Sequence, residues 1–169
     1  MPATFEDQLA VLEELASEVK RMEKGEQRAA TRRAPDSYER ELRLAGLAQR
    51  IAQAYTIIEG VLDFVARRLD RAPVTGQDWH KQLIARCARS FEHPARPAVL
   101  SAPLADELRE LCQFRHVVRN IYPTRLDEAR VAENLTRLIT AARALSAECN
   151  AFAERRATQP DASRGKRKR

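Results

Sequence analysis

Residues 101–122, SAPLADELRELCQFRHVVRNIY, carry the clearest helical pattern of the sequence. Ser101 is a good helix-capping residue, Pro103 fits a first helical turn, and apolar residues then recur at steps of three and four. Pro123 prevents simple continuation of the helix. The stretch is therefore predicted to be an amphipathic helix whose apolar stripe is centred on Leu111.

The same spacing of apolar residues predicts four further helices. We expect the first to begin at Thr4, where Thr4 and Asp7 form a capping-box-like pair, and to fade after Met22 into a frayed end and loop over residues 23–35. Neither an alternation typical of strands nor an internal repeat is visible. The sequence thus predicts an all-α, single-domain bundle of about five main helices. The remaining helices are expected from Tyr38 to Leu69, from Thr75 or Gly76 to Phe91, and from Thr124–Asp127 onward.

Composition places the chain among soluble globular proteins. Of its 169 residues, 44% are hydrophobic and 32% charged, which is typical of a charge-rich helical domain. No apolar stretch is long enough to cross a bilayer and no signal pattern opens the chain, so a cytoplasmic location is expected. We expect residues 1–157 to form the helical domain and residues 158–169 a disordered basic tail. The net charge of +6 permits binding to nucleic acid without requiring it.

The cysteines and two of the three histidines favour structural roles. The three cysteines are widely spaced on apolar stripes, which predicts buried free thiols. No Cys/His spacing indicates zinc, and neither a metal nor a cofactor is expected. His80, beside Trp79 at a helix start, is predicted to be structural, and His93, before Pro94, to be a solvated loop residue. The three thiols are those of Cys87, Cys112 and Cys149.

Arg115 interrupts the apolar stripe of the quoted stretch. At 100° per residue it lies about 40° from Leu111, while Tyr122 lies about 20° away and Arg119 about 80° away. A guanidinium on a core-facing stripe is costly unless it is paired or opens to a cleft. Two interpretations remain open. Arg115 pairs with a buried carboxylate or reaches out from the stripe edge, or a cleft presents Arg115, Arg119 and the Tyr122 hydroxyl to an anion.

The run Phe114–Tyr122, FRHVVRNIY, followed by Leu126-Asp127, resembles the motif of HepT-like toxins of the HEPN superfamily. The family pattern is Arg, four residues, His, one residue, Tyr, often within Phe-Arg-His-x-x-Arg-His-x-Tyr. Two upstream segments are also similar to such proteins, and the similarity covers roughly residues 40–150. The two upstream segments are Gly76–His80 with Leu83, and Arg96–Leu100.

The resemblance implies a metal-independent endoribonuclease that acts as a homodimer, with the two motifs facing one cleft that binds RNA. It also implies a partner, a small MNT-type nucleotidyltransferase antitoxin, which in some systems adds AMP to the motif tyrosine. By position, Arg115 matches the motif arginine, Tyr122 the motif tyrosine, and Asn120 the motif histidine. Arg119 and His116 are candidates for binding RNA phosphate.

Asn120 departs from the family pattern at the position that moves protons. Histidine titrates near neutrality, whereas asparagine can only donate and accept hydrogen bonds. The substitution is either natural or introduced so that a toxic protein could be produced, and weak or absent cleavage is expected in both cases. His116 is an alternative proton carrier. The alternative function is non-enzymatic: a HEPN-type protein that binds a nucleotidyltransferase partner or RNA.

Overall fold

The computed structural model of the chain describes residues 4–31, 36–92, 95–120 and 126–158. Helices account for nearly all of this part of the chain, so the predicted all-α bundle is confirmed. The second helix continues directly into a π-helical turn at Val65–Leu69, and two-residue strands β1 (Phe91–Glu92) and β2 (Ala95–Arg96) form a small antiparallel pair. The five helices are α1 (Phe5–Ala30), α2 (Ser37–Phe64), α3 (Trp79–Cys87), α4 (Ala102–Asn120) and α5 (Glu128–Thr158).

Side-chain caps set the helix starts that the sequence predicted. The Thr4 hydroxyl accepts a hydrogen bond from the backbone N–H of Asp7 at 3.2 Å, and the Asp7 carboxylate accepts one from the Thr4 N–H at 2.9 Å. Asp36 caps α2 by accepting from the Glu39 N–H at 2.8 Å. Ser101 caps α4 in the same way. These contacts satisfy N–H groups that a helix cannot pair internally.

The core is shared by four long helices. α1 packs mainly along α5, α2 packs against α4, and the short helix α3 lies against α2 and α4. Tyr55, Phe114 and Phe152 are the largest fully buried side chains. Cys87 and Cys149 are buried free thiols, as predicted, whereas Cys112 is only half-buried.

The end of α1 and both ends of α3 differ from the prediction. α1 does not fade after Met22 but continues to Ala30, because the polar residues that follow are good helix formers and pack beside α2 and α5. The Glu23 carboxylate, for example, lies 3.4 Å from the Arg143 guanidinium. α3 begins at Trp79 rather than at Thr75 or Gly76, because Gly76 has a φ of +105°, which no α-helix contains.

The prediction that Phe91 faces inward from the third helix is wrong, because α3 ends at Cys87 and Phe91 lies on β1. The guanidinium groups of Arg86 and Arg96 each lie 4.8 Å from the centre of its ring. Both arginines also bind the buried carboxylate of Asp70, Arg86 through Nε at 2.6 Å and Arg96 through Nη2 at 3.1 Å. This cluster joins the end of the π-helical turn to the last turn of α3 and to the strand pair.

The expectations for the C-terminal tail and for His93 fall largely on residues that the structure does not describe. Thr158 is the last residue of α5, so the helix takes in one residue assigned to the tail, while residues 159–169 and His93 lie outside the described residues. Within the described part of the chain, no helix is both long enough and apolar enough to cross a membrane.

Candidate functional site

The residues singled out on α4 form one wall of a cleft of about 1010 Å³. Arg115, His116, Arg119 and Asn120 all line it, because the last turns of α4 extend past the core. The N-terminal end of α3 forms the facing wall, with His80 at its centre. Tyr122, the remaining predicted site residue, lies within residues 121–125, outside the described residues.

Arg115 is nearly buried and is held at three points. Its Nη2 lies 3.4 Å from Oε2 of Glu59, its Nε donates a hydrogen bond to the Thr56 hydroxyl at 3.2 Å, and its Nη1 lies 3.5 Å from Nε2 of His80. Its side chain is 13% exposed. The first interpretation is therefore correct in that Arg115 pairs with a buried carboxylate. Arg115 and Arg119 also line the cleft, whereas the Tyr122 hydroxyl of the second interpretation lies outside the described residues.

Glu59 is the site residue that sequence reasoning missed. It lies on α2 with only 4% of its surface exposed, one helical turn from the buried residues Tyr55 and Leu62. Burial raises the pKa of Glu59 to about 7, although the positive charges of Arg115 and Arg119 oppose the shift. The signal in the sequence was a carboxylate on the apolar stripe of α2. Together with the guanidinium on the apolar stripe of α4, it suggests a buried ion pair between the two helices.

His80 joins this pair from α3. Its Nδ1 contacts Oε1 of Glu59, and its ring packs on the Trp79 ring with centroids 3.7 Å apart. Burial, followed by the positive charges of Arg115 and Arg119 and the neighbouring His116, lowers the pKa of His80. The histidine packs as a structural residue would, as predicted, yet it also lines the cleft and contacts its arginine.

Asn120 and His116 lie apart from this three-residue cluster of Glu59, His80 and Arg115. The Asn120 amide donates a hydrogen bond to the backbone carbonyl of His116 at 2.8 Å, so it is occupied by its own helix. Both side chains are exposed at the rim of the cleft. The structure therefore brings Arg115 together with two residues from other helices, and leaves the position of the motif histidine outside their network.

The rim of the cleft is positively charged. Lys81 lies 3.1 Å from Asp78, and Arg109 pairs with Asp106. Arg119 and Arg130 also line the cleft, and no carboxylate among the described residues forms an ion pair with either. Unpaired guanidinium groups at a rim are suited to bind phosphate. Within residues 4–31, 36–92, 95–120 and 126–158, no set of three or more His, Cys, Asp or Glu side chains is placed to hold a metal ion.

Comparison with known proteins gives one match. A family model described as "HepT-like protein" matches residues 46–156, well over half of the chain. The matched region begins within α2 and ends within α5, so it contains every described residue of the cleft. Searches among curated proteins and among solved structures return no match.

Proposed function

Since the chain belongs to the family of HepT-like proteins, in the HEPN superfamily, we propose that it is the toxin subunit of a toxin–antitoxin pair and that its cleft acts on RNA. The observation that carries this proposal is the placement of Arg115. Its guanidinium is fixed by Glu59 and Thr56 in a cleft that is also lined by Arg119 and Arg130, two cations that no carboxylate of the described residues pairs. RNA presents a phosphate at every nucleotide, and cations of this kind supply most of its binding free energy.

In this proposal Arg115 stabilises the charge that develops on the phosphorus centre during cleavage. A preorganised cation in a partly dehydrated site is a strong contributor to such stabilisation. The residue at position 120 would carry the proton transfer of the family reaction, and Asn120 cannot do so. The chain as it stands should therefore bind RNA and cleave it slowly.

A non-enzymatic function is the second candidate. The hydrogen bond from the Asn120 amide to the His116 carbonyl favours it, because this side chain is engaged by the helix rather than turned to a ligand. The cleft would then hold phosphate, of RNA or of a nucleotide on a partner, without cleaving it.

The partner that fits either function is an MNT-type nucleotidyltransferase antitoxin. Tyr122 follows the last residue of α4 by two positions, so AMP on it would add a phosphate close in sequence to Arg119 and compete with RNA phosphate for the cations of the cleft. Intact mass after incubation with the antitoxin and ATP should show one added AMP. The same addition to the Tyr122→Phe protein would assign it to another residue.

The test of the main proposal is RNA cleavage by matched variants. Asn120→His should raise the cleavage rate by about 10²-fold or more, since general acid–base catalysis typically contributes about 10²–10⁴. Arg115→Ala in the same background should remove the gain and weaken RNA binding, because it takes away fixed charge. A chelator should leave all rates unchanged, since a guanidinium rather than a metal ion is proposed to stabilise the charge on the phosphate.

Two controls separate chemistry from folding. Melting temperatures should be compared, because Arg115→Ala also leaves the buried Glu59 without its cation. Gln82→Ala, an exposed change on α3 outside the cleft, should behave like the parent. If Asn120→His cleaves neither structured nor single-stranded RNA faster than the parent chain does, the non-enzymatic function is the better account.

A further inference from the structure

The cleft contains a histidine that is oriented by a carboxylate, at a position apart from the motif. His80 comes from α3, Glu59 from α2 and Arg115 from α4, so the three side chains meet only in the folded chain. The side chain of His80 is 23% exposed and that of Glu59 is 5% exposed. The carboxylate therefore lies behind the ring, and the ring lies between the carboxylate and the cleft.

The hydrogen-bonding capacities of these groups fix the tautomer of His80. A guanidinium can only donate hydrogen bonds, so at the 3.5 Å contact with Arg115 the Nε2 atom of His80 acts as the acceptor. The ring proton is then on Nδ1, which contacts Oε1 of Glu59. The Nδ1 proton then lies beside the Glu59 carboxylate, while the 3.5 Å contact with Arg115 is too long to occupy Nε2 with a strong hydrogen bond. A neutral imidazole with an unprotonated Nε2 is the form that a general base requires.

The other candidates for a proton carrier lack this support. Asn120 has no titratable group, and its amide is bound to the helix backbone. His116 is exposed, and no carboxylate among the described residues contacts its ring. A base is effective when a third group orients it, and among the described histidines His80 has that group.

We propose that His80 is the general base of the cleft and that Glu59 is its positioning residue; the inference rests on the proposed cleavage of RNA. Nε2 of His80 takes the proton of the ribose 2′-hydroxyl as the 2′-oxygen forms a bond to phosphorus. The bond from phosphorus to the 5′-oxygen breaks, and that oxygen takes a proton from water. The hydroxide left from the water then takes up the proton held by His80. The products are a 2′,3′-cyclic phosphate and a 5′-hydroxyl end.

This assignment places the two proton transfers of the reaction at different positions in the cleft, one at His80 beside Arg115 and the other at position 120. Arg115, within contact distance of Nε2, neutralises the charge on the non-bridging oxygens of the phosphate that the ribose 2′-oxygen attacks. Position 120 lies at the rim, where the family's histidine would assist the departing 5′-oxygen and Asn120 leaves that task to water. The chain thus keeps one proton carrier and lacks the other.

The experiment compares His80→Asn with its parent, both in the chain as it stands and in the Asn120→His background. Asparagine keeps an amide N–H near the position of Nδ1, so it can still donate to Glu59, but it has no atom that accepts a proton at the position of Nε2. The cleavage rate should fall by about 10²-fold or more in the Asn120→His background. Binding of a 2′-deoxy oligonucleotide of the same sequence, which cannot be cleaved, should change by less than about threefold, since the cations stay in place.

The pH profile is the readout that a purely structural histidine would not move. The charged and titratable groups facing His80 are Glu59 from α2, Arg115, His116 and Arg119 from α4, and Asp78 and Lys81 on α3 itself. Single-turnover cleavage by the unsubstituted chain should fall in acid with a midpoint below the ordinary histidine pKa of about 6.5. The His80→Asn protein should lack this fall.

Each outcome decides a different point. A His80→Asn protein that cleaves as fast as its parent in the Asn120→His background overturns the base assignment and leaves the proposed function standing. If neither the unsubstituted chain nor its Asn120→His form cleaves RNA, the proposed function is wrong, and the assignment of His80 as its base is wrong with it. If His80→Asn melts well below its parent, His80→Gln replaces it, because the glutamine amide reaches the position of Nε2 and binds no proton. A Gln protein with parental cleavage then overturns the assignment in the same way.

Discussion

Glu59 is the residue whose charge state is most finely balanced. Its pKa of about 7 lies above the ordinary value of 4.5, so the folded chain holds a proton there that the unfolded chain has lost. The resulting stability is fully present below pH 4.5 and is lost as pH rises through 7. His80 works in the opposite direction, since its lowered pKa adds stability as pH rises toward 6.5.

The Glu59→Gln protein should separate these two effects. Glutamine resembles the protonated acid, so at pH 5 the two proteins should have similar free energies of unfolding. At pH 8 the variant should be the more stable by about 1–3 kcal/mol, given 1.36 kcal/mol per pKa unit as the upper scale. Urea denaturation at both pH values measures this. A difference between the proteins that does not change with pH would mean that Glu59 titrates normally.

At the same scale, the residues of the site divide into those that the sequence revealed and those that it did not. Arg115 was visible because a guanidinium on an apolar stripe needs a partner. The partner itself was not identified, although Glu59 lies on the stripe of α2. Spacing shows which face of a helix a residue occupies, but not which residue of a distant helix it meets. Only packing brings Glu59, His80 and Arg115 within contact.

Among the structural elements, the segment between α2 and α4 was the hardest to predict. The caps of α1, α2 and α4 depend on neighbours three residues apart, so the sequence contained them. The β1–β2 pair has two residues per strand, which is too short for any alternation. Its position depends on Asp70, Arg86 and Arg96, whose pairing spans 26 residues.

The Asp70 cluster should therefore contribute strongly to stability. Removing the carboxylate leaves the Arg96 guanidinium buried, with only the backbone carbonyls of Arg86 and Pro97 as acceptors. Asp70→Ala should cost about 3–5 kcal/mol, as expected for breaking a buried ion pair. Asp106→Ala removes an exposed pair and should cost less than about 1 kcal/mol. Equal losses in chemical denaturation would contradict this distinction.

At the scale of the whole molecule, we expect two chains to assemble with their clefts side by side. A symmetric dimer presents the same patch twice, so it would double the cations around a shared groove and give RNA a longer track. Light scattering at micromolar concentration should give about twice the mass of one chain. A monomer under those conditions, with the fold intact by circular dichroism, would rule out the shared groove.

The contact between Trp79 and His80 gives the molecule a built-in optical reporter. Trp79 is the sole tryptophan of the sequence, so all indole emission arises within contact of the His80 ring. A protonated imidazole accepts an electron from an excited indole and quenches its light, whereas the neutral ring does so weakly. Fluorescence of the unlabelled protein should therefore dim in acid as His80 takes up its proton, and stay level when residue 80 is asparagine. The emission of Trp79 therefore reports the protonation state of His80 without any added dye or substrate.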